Sequence, residues 1–254
     1  MAFFTSALSA VTAAGGGMLL ISAMALFLPV NLVIPLHAVT QLVSNFSRAA
    51  LSPGSTLWQI TLPFMLGILL GTPWAFSVYN MFQAKFSALP LGIFVLLMVW
   101  IPPVKLAKLF RKNAKKGCET TPETNRRKFS RVYLRGLGFG FLGFTQMFVT
   151  LFVGSSAPLN LPFLLRQQLK RDQLVATSAM MMTGVSLAKI GIFIAAGFSF
   201  SAYLGLMVGL VFAVFAGSWG GTRVRQYIPE QKFARLLKIV LSLLALRLIA
   251  VVIK

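Results

Sequence analysis

The chain has 254 residues, of which 57% are hydrophobic and 11% charged, and its mean hydropathy is +0.82. A soluble domain carries roughly 25% charged residues, so a water-exposed globular protein is excluded, and no stretch is left over for a separate soluble domain. The net charge of +20 comes from 24 Lys and Arg against Glu119, Glu123, Asp172 and Glu230. These basic residues cluster between apolar runs. That is the pattern of cytoplasmic loops held against anionic headgroups rather than of a nucleic-acid surface.

Apolar segments fall at about 3–14, 18–28, 32–51, 57–80, 86–101, 132–153, 159–165, 173–196, 199–221 and 234–253. Several approach the roughly 20 residues that a bilayer-spanning helix needs. The first segment has no basic leader and no small-residue cleavage pattern, so it reads as part of the mature protein. Cys118 is the single cysteine, which leaves no disulfide framework and no thiolate metal site. The expected fold is an all-α polytopic membrane protein of about eight membrane helical segments, multi-pass in a cell inner membrane.

Two segments are interrupted, one at Gly15-Gly16-Gly17 and one from Gly154 through Ser155, Ser156 and Asn160 to Pro162. Glycine and proline release backbone groups from helical pairing. At membrane depth this is tolerated only against protein or a polar cavity. Both breaks therefore predict broken or re-entrant helices beside a substrate site.

The chain divides into a first repeat at 1–104, a basic cytoplasmic linker at 105–131 with ten Lys and Arg, and a second repeat at 132–254. Residues 15–48 align without gaps on 156–189, which sets Arg48 on Lys189; Lys85-Phe86 corresponds to Lys232-Phe233. Four full spans per half would make the halves parallel. Breaks that enter and return on one side would make them antiparallel and gather all the basic loops on the cytoplasmic face. The length of the run from Gly136 to Val153 favours the first scheme and the charge distribution the second. Glycines four apart at Gly67 and Gly71, and again at Gly205 and Gly209, predict close helix packing.

Read as helix, His37, Gln41, Ser44 and Arg48 fall on one face, with Asn45 beside them. Such a face is too costly to set against lipid and predicts a polar cavity. Arginine and amide donors suit an oxyanion with several acceptor oxygens. Gly16, Gly17, Ser155, Ser156 and Asn160 add backbone or side-chain groups at the breaks, where a helix N-terminus favours an anion. Thr177, Ser178, Ser186 and Lys189 supply the corresponding face of the second half. A polar seam that merely joins helices is the alternative for these residues. Arg247, near the C-terminus, reads as a headgroup anchor.

In order and spacing, the triple glycine, the run Leu36–Arg48, the stretch Leu159–Arg166 continuing to Asp172 and Thr177, and the segment Phe233–Leu248 resemble the sulfite exporter TauE/SafE family over nearly the whole chain. The resemblance implies an inner-membrane transporter of about eight helical segments that exports sulfite, sulfoacetate or a related organosulfonate.

The expected partners are a small anionic substrate and membrane lipids, with no cofactor, no metal and no nucleic acid; a homodimer is compatible with the sequence. An intramembrane enzyme would need a nucleophile–base pair or metal cluster, and His37 is the sole histidine. A membrane scaffold, or a carrier of an unrelated solute, is the remaining alternative. A scaffold has no need of a polar stripe, and a cation carrier would need acidic groups in the spans.

Overall fold

The computed structural model describes residues 2–12, 16–25, 27–52, 54–82, 125–167 and 169–224. Among them are eight α-helices: α1 (Ala2–Thr12), α2 (Gly16–Met24), α3 (Val30–Ala50), α4 (Trp58–Phe82), α5 (Asn125–Val153), α6 (Ala157–Leu165), α7 (Arg171–Ala195) and α8 (Leu204–Val224), the last preceded by a 3-10 turn at Ser201–Tyr203. No strand occurs among the described residues. The segments expected at 86–101 and 234–253, the Lys85/Lys232 correspondence, Cys118, Arg247 and most of the 105–131 linker lie outside them.

Four helical stretches are long and apolar enough to cross a membrane: Trp58–Met81, Gly136–Val153, Asp172–Ala195 and Ser201–Arg223. The protein is a membrane protein. At 21 residues, α3 has a spanning length of roughly 31 Å. It is less apolar because His37, Thr40, Ser44, Asn45, Ser47 and Arg48 all lie on it, and all are buried in the protein interior. The opposite distribution holds on α4, where Leu62, Leu66, Leu69, Leu70 and Trp74 are exposed. Outward leucines and inward hydroxyls, amides and cations are what a hydrocarbon solvent selects, since lipid tails are as apolar as leucine and only the interior can satisfy polar groups.

Close contacts fix the helix directions. A Cβ added to Gly67 would meet the Gly140 backbone, and one on Gly71 would meet Phe144, so α4 and α5 run the same way. Gly217 lies against Phe3 and Gly221 against Ala7, so α1 and α8 also run the same way. The amide of Leu57, just before α4, donates to Thr177 Oγ1 at 3.1 Å, and the ring of Tyr79 meets Phe193 edge-on at 5.6 Å. This sets α4 parallel to α7. The first turn of α3 shares a cavity with the ends of α4 and α7 and with Tyr203, at the foot of α8, while Ser44 bonds Ser218 further along. Thus α1, α3 and α8 point one way, and α4, α5 and α7 the other.

It follows that α2, which joins the parallel α1 and α3, runs back, as does α6 between α5 and α7. Each of these two has nine residues, a length of roughly 14 Å, about half the hydrocarbon thickness.

The structure refines three expectations. The helix breaks are shorter than the glycine- and proline-rich stretches suggest: Gly16 and Gly17 form the first turn of α2, and Leu159–Pro162 belongs to α6. Proline costs nothing in the opening turn of a helix, where its missing N–H would have no intrahelical partner, and α6 takes a proline there. Helix α5 begins at Asn125, inside the segment assigned to the linker; nothing from Asn125 to Arg131 breaks a helix. Finally, Gly67 and Gly71 do form a close helix contact, but Gly205 and Gly209 meet no described atom within 4 Å, and α8 instead packs through Gly217 and Gly221.

The α4–α5 contact is tight enough to test. A side chain at Gly143 would run into the Phe64 carbonyl, and overpacking costs about 1–3 kcal/mol. Gly143→Val is expected to lower the melting temperature in detergent; an unchanged melt would refute the backbone-to-backbone packing.

Candidate functional site

Gly15 of the first expected break lies outside the described residues, while Gly16 and Gly17 open α2; the second break is Gly154–Ser156, between α5 and α6. Gly154 ends α5 with φ +76°, and its N–H donates to Thr150 O at 2.8 Å. This is the left-handed helix ending that glycine adopts without strain. A Cβ there would also collide with Ile21 of α2. The two breaks touch: the space around Gly17 is closed by Ser155 Oγ and Gln41 Oε1, which a Cβ would approach to 3.1 and 3.2 Å.

The end of α5 leaves the Gly154 carbonyl inside the protein, and the first turn of α2 brings the Gly17 carbonyl beside it; each meets a side chain from one of the two inner helices. Lys189 of α7, 2% exposed, donates from Nζ to Gly154 O at 2.7 Å. His37 of α3, 1% exposed, sets Nε2 at 2.9 Å from Gly17 O. If the Gly17 carbonyl accepts, His37 carries its proton on Nε2. Its Nδ1 is then an acceptor, and it is buried without a partner among the described residues. The ring also stands within electrostatic reach of Lys189 and the Gly154 carbonyl. Five candidate residues thus meet here: Gly17, His37, Gln41, Ser155 and Lys189.

Other candidates lie elsewhere. Arg48 is eleven positions beyond His37 on α3, about 16 Å along the axis, so it does not join Lys189. It donates from Nε to Ser44 O at 3.1 Å and from Nη2 to Asn45 Oδ1. Ser44 is bonded to Ser6 Oγ at 2.7 Å, and Ser6 Oγ in turn to Ser218 Oγ at 2.7 Å, so a hydroxyl cluster links α3 to α1 and α8. Thr177 accepts from the Leu57 amide at 3.1 Å. Ser178 and Ser186 are buried on α7, and Gly16 in the first turn of α2. Ser156 is held by Gln146, whose Nε2 donates to its carbonyl and its Oγ, both at 2.9 Å. Asn160, on α6, is completely buried with both amide atoms unbonded among the described residues.

Gln146 escaped the sequence reading, although an amide within an apolar run is a detectable signal. Ser6 and Ser218 carried none, since an isolated serine in a span is ordinary until its neighbours are known.

Among the described residues no carboxylate stands beside Lys189. Among the described residues the one acid is Asp172, seventeen positions earlier on α7 and about 25 Å away. A buried ammonium held by a carbonyl dipole, beside a histidine and two helix breaks, is a place where an anion would find charge and donors that the protein itself leaves incompletely matched. Among the described residues no group of three or more His, Cys, Asp or Glu could hold a metal.

The family model for the sulfite exporter TauE/SafE matches residues 1–248. The chain belongs to this family. It is therefore a membrane transport protein of a family described by sulfite export. No curated protein and no solved structure gives a significant match of its own.

In this family member, the ammonium of Lys189 replaces its hydration with a single described hydrogen bond. An isolated charge in such a position opposes folding. Lys189→Met is expected to leave the melting temperature in detergent unchanged or raised. A fall of several degrees would make Lys189 a structural strut.

Proposed function

We propose that the protein exports a small oxyanion, sulfite or an organosulfonate such as sulfoacetate, across a bacterial-type inner membrane by alternating access. The observation that carries this reading is the meeting of the start of α2 and the Gly154 break with His37 and a Lys189 that has no carboxylate beside it among the described residues. Discontinuous helices with cationic and amide donors between them are how transporters recognise anions in a low-dielectric interior.

On this reading the chain is built of two halves of inverted topology. Three things support it. First, α2 and α6 have equal length and start 141 positions apart (157 − 16), and the starts of α3 and α7 are separated by the same 141 (171 − 30). Second, the packing repeats with the halves exchanged: α1 on α8 corresponds to α5 on α4, and α3 on α8 to α7 on α4. Third, corresponding helices point opposite ways. An inverted pair brings the exposed cations Arg166, Lys170 and Arg223 to one face, with α5 entering from that same side. The positive-inside rule makes this face cytoplasmic.

Arg48 then stands toward the cytoplasm and Lys189 toward the outside. The two cations form successive stations for an anion rather than one clamp. With the inside negative, each charge that leaves releases about 2.3 kcal/mol per 100 mV, so export needs no acidic coupling residue in the spans.

The test is flux in proteoliposomes with labelled sulfite and sulfoacetate at imposed potentials of either sign. Saturable flux that follows the potential is expected, together with loss of flux in Arg48→Gln while the variant still inserts and melts cooperatively. Normal flux in Arg48→Gln would remove that residue from the path. No flux above empty liposomes for the native protein would remove the anion reading.

A further inference from the structure

One cavity stands apart from the breaks. It has a volume of about 560 Å³ and lies where the start of α3, the end of α4, the end of α7 and the turn into α8 converge. Its floor, with Ile34, Pro35 and Phe193, is buried, and its rim, with Asn31, Ser199 and Ala202, is exposed. It therefore opens outward and narrows inward.

Its wall is aromatic and firmly built. Tyr79 meets Phe193 at 5.6 Å, and Phe198 stacks on Tyr203 at 5.9 Å. The turn carrying Phe198 is fixed by a complete helix stop: Gly197 has φ +85°, its N–H donates to Ile194 O at 3.0 Å, and the Phe198 N–H donates to Phe193 O at 2.9 Å.

The inner end of this cavity points at the breaks. Ile34 lies three residues before His37 on α3, and Phe193 four residues after Lys189 on α7. Residues at those spacings share a helix face, so the faces that make the cavity floor continue inward to His37 and Lys189. The cavity lies at the end of the molecule away from Arg166, Lys170 and Arg223.

We infer that this cavity is an outer vestibule with its own binding role: it holds the organic tail of an anion whose charged head lies one helical turn further in, at Lys189. The inference rests on the anion-export reading for its charged head. The tail comes from this cavity alone, where the rings of Tyr79, Phe193, Phe198 and Tyr203 offer apolar faces beside polar groups that include Asn31 and Ser199. A bare inorganic anion gains nothing from the ring faces. Each methylene laid against them adds binding energy, and two extra methylenes correspond to affinity higher by on the order of tenfold.

The experiment uses the full chain with Cys118→Ser and a single new cysteine on the rim, Ser199→Cys or Ala202→Cys. A membrane-impermeant charged thiol reagent is applied to spheroplasts and to inverted vesicles. Labelling from the outer side alone is expected. Protection by propanesulfonate should set in at concentrations lower, by on the order of tenfold, than protection by methanesulfonate. Labelling from the cytoplasmic side, absent labelling, or equal protection by the two sulfonates would overturn the vestibule.

Flux separates this failure from that of the export reading. Ala202→Trp should block propanesulfonate flux in proteoliposomes. If Ala202→Trp transports normally while Arg48→Gln does not, the vestibule falls and export stands. If the native protein transports no anion but the rim protection follows tail length, the cavity still binds organic anions and the export reading falls.

Discussion

A helix that ends inside a membrane releases carbonyls that neither water nor the next turn can satisfy, and the arrangement of this protein follows from how it meets that demand. At Gly154, the end of α5, the carbonyl receives the ammonium of Lys189, while the His37 imidazole adds a bond to Gly17 O in the first turn of α2. Both donors come from the inner helices, one from α7 and one from α3. The Gly154 break lies where α7 runs beside it, and α3 and α7 pack together so that His37 and Lys189 reach the same region. Glycine at 154 completes the arrangement, since the left-handed ending and the contact with Ile21 leave no place for a Cβ.

The remaining helices serve a different boundary. α4 and α8 turn leucines, phenylalanines and tryptophans outward and hold their inner neighbours by backbone contact at glycine. In lipid there is no hydrophobic drive to press one apolar helix on another, so close approach and hydrogen bonding supply the association. The Ser6–Ser44–Ser218 cluster adds hydroxyl bonds where α1, α3 and α8 meet. The result is a polar interior inside an apolar shell.

That interior carries a tension suited to transport. Two buried cations are spaced along the seam between α3 and α7, and Lys189 is held by a carbonyl with no carboxylate nearby among the described residues. A carboxylate at contact distance would stabilise the fold more, but it would also compete with an anionic substrate for the same charge. Among the described residues, incomplete satisfaction recurs at His37 Nδ1, Gln146 Oε1 and both amide atoms of Asn160. In a family described by sulfite export, a polar interior that is structurally under-bonded is an interior able to exchange partners.

The sequence by itself determined the solvent, the secondary structure and the chemical character of the interior. Long apolar runs with 11% charged residues dictate membrane helices, because no other open structure satisfies its backbone in lipid. The 3.6-residue period puts His37, Gln41, Ser44 and Arg48 on one face, and the same residues are too polar to face hydrocarbon. Only the tertiary structure decided which of them act together. Lys189 stands within electrostatic reach of His37 rather than beside Arg48 because α3 and α7 run in opposite directions, so residues at the start of one stand beside the end of the other. Ser44 turned out to join helices through Ser6 and Ser218, and Gln146 to clamp Ser156. Helix periodicity fixes a residue's face and depth within its own helix, but the neighbour across the interface is set by the direction and register of another helix, which the local pattern does not encode.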